Sequence, residues 1–135
     1  MTSKERLQRY WRFKVRESHL EKEIKNSYSA AFRKTSYGDN ESISNDEGIE
    51  EKYCKLAKKI KEKEMELEYI RKEIDLVENV LDELAKTHKE EVDAMLMKYI
   101  YRKRLKEIGE EMKWSRTTTN RKIKEVEKMF EEYLK

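Results

Sequence analysis

Apolar residues recur along this chain at helical intervals. The strongest register runs through residues 49–87, where Tyr53, Leu56, Ile60, Lys63, Leu67, Ile70, Ile74, Val77, Leu81 and Leu84 follow alternating three- and four-residue steps. An average step of 3.5 residues keeps one seam turned toward a partner helix, as in a coiled coil. Lys63 interrupts the seam, and either helps to set register or partner, or snorkels outward. Residues 4–33 carry a second stripe: Tyr10, Phe13, Leu20, Ile24, Ser27 and Ala31, with Glu17 at the intervening step and Leu7, Trp11 and Tyr28 near the same face. The two stripes are of nearly matching length, which predicts an antiparallel helical hairpin. Pairing between two chains is the other solution, or an addition to the first. Between them, residues 34–48 are dominated by Ser, Asn, Asp and Gly, the residues of turns, and predict a flexible acidic connector.

The pattern changes after residue 87. Residues 89–101 predict a helix with Val92, Leu96, Tyr99 and Ile100 facing inward and Ala94 to Met97 filling around them. Residues 104–112 predict a second, with Leu105, Ile108 and Met112 buried. A third runs from about Arg116 to Tyr133, with Thr119, Ile123, Val126 and Phe130 on its inner face. Gly109 is costly in a helix, by about 1 kcal/mol against Ala, and makes sense if the next helix crosses closely there. Trp114 lies in the turn as a core plug, and Ser115 suits an N-cap. Two short helices joined by a tight turn form a helix-turn-helix, which sets its second helix in the major groove of DNA.

At roughly 100° per residue, the outer face of the third helix carries Thr117, Arg121, Lys124 and Lys128, with Thr118 and Asn120 on its flanks. Arg and Asn make bidentate contacts to guanine and adenine edges, and Thr meets a thymine methyl or a phosphate. Arg116 at the helix start, with Arg102, Lys103 and Arg104 before the second helix, would grip phosphates. A charged outer face is also what any solvated helix shows. The conjunction of Gly109, Trp114, Ser115 and the inward stripe is what favours DNA.

The expected fold is therefore all-α: a long antiparallel helical hairpin or coiled coil over residues 1–87, then a helix-turn-helix domain over 88–135. Charge agrees with a polyanion-binding end. Residues 1–34 hold ten Lys/Arg against four Asp/Glu, residues 35–101 eleven against eighteen, and residues 102–135 eleven against seven. Charged residues make up 45% of the chain, too many for a thick globular core but suited to helices with a narrow apolar stripe. The single Cys54 excludes an intrachain disulfide and fits a reducing cytoplasm. No apolar run approaches the roughly 20 residues that span a bilayer, and no membrane partner is expected. His19, His88 and Cys54 lack metal-ligand spacing, no cofactor motif is present, and no catalytic constellation suggests an enzyme. Tyr10, Trp11 and Phe13 among Arg9, Arg12 and Arg16 read either as hairpin packing, the favoured reading, or as a second nucleic-acid or protein contact.

Residues 93–130 resemble the fourth-region domain of bacterial sigma factors, whose progression is R-Y, then E-I-A, then a hydrophobic residue with Ser, then R. The matching positions are Lys98-Tyr99, Glu107-Ile108-Gly109, Trp114-Ser115 and Arg121. The chain departs from it in Gly109 for the usual Ala, and in the run Thr117-Thr118-Thr119. With its coiled-coil front and connector, the whole is similar to phage-encoded sigma-like regulators akin to the ArpU and RinA late-gene groups. That resemblance implies transcriptional control, with double-stranded DNA as partner and the arm serving to dimerise or to touch RNA polymerase. Two other functions remain open: a DNA-recognition subunit of phage packaging, similar to a small terminase, and a coiled-coil adaptor without DNA binding.

Overall fold

A computed structural model describes residues 1–38 and 46–135. It is helical, with no strand among the described residues, and holds α1 (Ser3–Gly38), α2 (Asp46–Tyr99), α3 (Leu105–Met112) and α4 (Arg116–Tyr133). No helix is long and apolar enough to cross a membrane among the described residues. The expected connector at 34–48 is shorter than its composition suggested. Residues 34–38 and 46–48 are helical, and the remaining residues, 39–45, lie outside the described residues. With no Pro in the chain and helix-compatible neighbours, isolated Ser, Thr and Gly residues do not stop a helix. The break expected near residue 88 is present, as a single departure from helical geometry at His88 (φ −133°, ψ 45°) inside α2.

The chain divides into two compact units, Met1–Lys14 with Glu73–Lys135, and Val15–Lys72. In the smaller unit, Leu20, Ile60, Leu67 and Ile70 are buried, so the three-four stripe is the buried stripe. Lys63 is half-buried and pairs with Glu23 at 3.7 Å. Glu66 pairs with Arg16 (3.1 Å), and Arg71 with Glu17 (3.4 Å) and Glu21 (2.5 Å). Tyr28 donates to Glu64 at 2.6 Å. All of these contacts join α1 to α2. Tyr28 itself is 54% exposed, contrary to the inward placement expected from the helical wheel.

The larger unit contains two apolar clusters. One joins Leu7, Val77, Val80, Leu81, Leu84, Val92, Met95, Val126, Phe130 and Leu134; the other joins Ala94, Ile108 and Ile123, with Met97, Leu105, Met112 and Trp114 against them. The end of α2 thus has two apolar faces. Ala94 and Met95 are its most deeply buried residues, whereas Leu96, Tyr99 and Ile100, expected innermost, are half-buried. The start of α1 belongs to the same core. Leu7 is fully buried, Ser3 Oγ donates to the Glu127 carbonyl (3.0 Å), and Arg6 donates to the Leu134 carbonyl (3.1 Å). Ser3 N–H, one of the donors a helix N-terminus leaves unpaired, donates to Glu131 at 2.9 Å. A negative side chain from α4 thereby caps the positive end of α1.

Candidate nucleic-acid interface

The turn between α3 and α4 is built by local chemistry. α3 ends at Lys113, whose backbone is left-handed (φ 60°, ψ 40°), and Trp114 N–H donates to the Gly109 carbonyl at 2.8 Å. That six-to-one bond reverses the chain within two residues. Ser115 then caps α4: its Oγ accepts from Thr118 N–H (3.2 Å) and donates to Thr118 Oγ1 (2.9 Å). Thr119, fully buried, donates to the Ser115 carbonyl at 2.8 Å.

Gly109 explains how the two helices approach. A Cβ there would lie 2.9 Å from the Trp114 carbonyl oxygen and 3.0 Å from Thr119 Oγ1. The first is backbone and the second is engaged in a hydrogen bond, so neither yields cheaply. Trp114 covers the second cluster as a half-buried side chain, with the Lys122 ammonium 4.5 Å from its ring centroid. Glu91 holds Lys122 from the other side at 3.7 Å, so this cation is structural.

α4 turns Thr119, Ile123, Val126 and Phe130 into the core. On the opposite face Thr117, Arg121, Lys124 and Lys128 are exposed, as is Arg116 at the helix start. Thr118 and Asn120 are half-buried, and the Thr118 hydroxyl is drawn into the Ser115 cap. Arg102 and Arg104 are exposed on the segment before α3, Arg102 with left-handed backbone (φ 54°) and Arg104 as the residue preceding the first turn. Among the described residues, none of Arg102, Arg104, Arg116, Arg121, Lys124 and Lys128 is ion-paired with a carboxylate. Lys14, Lys98, Lys103 and Lys122 of the same unit all are.

A groove of about 710 Å³ beside the turn brings Arg104 and Arg116 together with Lys98, Lys103 and Lys106, against a single carboxylate, Glu110. Lys98 and Lys106 were not legible as site residues, because nothing in the α4 wheel points to cations on α2 and α3. Lys103 reaches Glu111 at 2.8 Å, and that hydrogen bond raises its pKa above the ordinary lysine value. The Tyr99 hydroxyl donates to Glu127; burial, then that hydrogen bond, pushes its pKa well up and keeps it neutral. Among the described residues no group of three or more His, Cys, Asp or Glu is placed to hold a metal ion. Compared with protein-family models, curated proteins and solved structures, the chain matches none.

Proposed function

We propose that the protein is a sequence-specific DNA-binding transcriptional regulator of the phage and prophage sigma-like kind, acting in the cytoplasm of a bacterial host. It is built as a helical hairpin arm followed by a helix-turn-helix. In this reading α4 enters the major groove. Arg121 and Asn120 read base edges, Thr117 and Lys124 meet bases or phosphates beside them, and Thr118 serves the helix cap as much as the groove. Arg102, Arg104, Arg116 and Lys128 hold phosphates. The arm dimerises or touches RNA polymerase.

One observation carries the reading. The face of α4 opposite its buried stripe bears Arg121, Lys124 and Lys128, exposed and without carboxylate partners among the described residues, directly after a capped turn that needs Gly109. The unpaired charge is available to a polyanion, and the tight turn lets the helix project.

The test is a genome-wide DNA-binding map, followed by titration of the top site against a scrambled duplex over a salt series. Affinity should fall steeply with salt. Arg121→Ala should lose roughly 1–3 kcal/mol of discrimination between the two duplexes, whereas Lys128→Ala should weaken both alike. A protein that binds neither duplex at low salt is not a DNA-binding regulator.

A further inference from the structure

The larger unit carries a second concavity, formed where the start of α1 meets the end of α2. It encloses about 180 Å³ and is lined by Gln8, Trp11, Arg12, Tyr99, Ile100 and Arg102. Trp11 is 46% exposed, although its position in the α1 stripe predicted packing. Arg12 and Arg102 are exposed and make no ion pair among the described residues, and no carboxylate lines the concavity. The Tyr99 hydroxyl is taken by Glu127 and the Lys98 ammonium lies 5.1 Å from its ring centroid, so Tyr99 adds no free donor here. An indole N–H, an amide and two guanidinium groups are left, all able to donate hydrogen bonds. The concavity opens to solvent and has room for a phosphate group.

Arg102 connects this concavity to the candidate interface. It lies two residues from Arg104, which lines the basic groove beside Arg116. Two residues of chain span at most about 7 Å. That is the axial distance covered by about two phosphates of one strand at about 3.4 Å each. The two basic surfaces are therefore joined through a segment short enough to follow one strand.

We propose that Trp11 and Arg12 of α1, with Gln8 and Arg102, form a phosphate-and-sugar clamp that extends the α4 interface along the duplex backbone. The proposal rests on the DNA-binding reading and adds to it that the first helix, not only the helix-turn-helix, touches DNA. The clamp carries no base specificity, because donors aimed at phosphate and an aromatic ring against sugar meet the same groups at every step.

Fluorescence anisotropy of the full chain, with a labelled duplex bearing the mapped site and a scrambled duplex, tests it across a potassium chloride series. Arg12→Gln should weaken both duplexes by the same factor, roughly three- to tenfold, and lower the salt slope by about one. Arg12→Glu should weaken them further. Lys25→Gln, which removes an exposed cation from the smaller unit, should leave both unchanged. If Arg12→Gln binds like the parent while Lys128→Ala is weakened, the clamp is wrong and the DNA reading stands. If Lys25→Gln is weakened as much as Arg12→Gln, the effect is general net charge and the clamp is again wrong. Sedimentation that finds Arg12→Gln converting a dimer to a monomer makes the surface a protein interface instead. A parent that binds neither duplex overturns both proposals.

Discussion

The two units of this chain use similar residues and hold themselves together differently. The smaller unit has a narrow buried stripe, Leu20, Ile60, Leu67 and Ile70, bordered by ion pairs such as Arg16–Glu66 and Arg71–Glu21. The larger unit has two clusters and several fully buried side chains, among them Leu7, Met95, Ile108, Ile123 and Phe130. Half-exposed ion pairs contribute little stability, because water and salt screen them. In the smaller unit they join α1 to α2 beside the apolar stripe. The larger unit gains its stability from apolar burial, which tolerates the unpaired cations on its surface.

Substitutions sharpen that contrast. The largest effect is expected from Phe130→Ala, which should cost about 3–5 kcal/mol by urea denaturation and speed hydrogen exchange in α4. Leu20→Ala, which removes a smaller side chain, should cost less, near the lower end of about 2–5 kcal/mol. Equal costs would erase the distinction between the units. Gly109→Ala comes next. The clash with the Trp114 carbonyl should outweigh the roughly 1 kcal/mol gain in helix propensity, for a net loss of about 1–2 kcal/mol. A stabilised variant would show that α3 and α4 are further apart. Lys113→Gly should raise the melting temperature slightly, worth up to about 1 kcal/mol, since Gly adopts the left-handed backbone at φ 60° without penalty.

Charge effects should be the smallest. Arg71→Ala should shift the urea midpoint of the smaller unit only a little, and the difference should vanish in 1 M salt as the Debye length falls to about 3 Å. In the larger unit, the Lys14 hydrogen bond, followed by that from Tyr10, holds the Glu78 carboxyl below its ordinary value. A lowered carboxyl pKa stabilises the folded state above the unfolded value, and that stabilisation is lost as pH falls through the folded one. Glu78→Gln should therefore flatten part of the acid limb of a stability–pH profile while leaving the alkaline limb in place.

Much of the candidate site was readable from local pattern. The Ser115 cap, the four-residue inner stripe of α4 and the opposed Arg121, Lys124 and Lys128 all follow from helical periodicity and from the hydrogen-bonding habits of Ser, without knowing any long-range partner. The α2 seam was readable for the same reason, down to the half-buried Lys63. Trp11 was misjudged because a wheel reports an angle, and an apolar residue at the edge of a stripe is buried only if its neighbour is wide enough to cover it. Lys98 and Lys106 were missed because they reach the basic groove from elements other than α4.

By itself, then, the sequence determined which faces are apolar, where helices begin and turn, and which cations stand opposite a core, since each is a consequence of neighbours within a few residues. Only the tertiary structure decided that Ser3, Arg6 and Leu7 complete the core and the cap of a helix more than 120 residues away. It alone set Arg12 beside Arg102. Hydrophobic burial is non-directional, so a stripe states that it must be covered and not by what. The choice of cover depends on shape and on partners that the local pattern does not name.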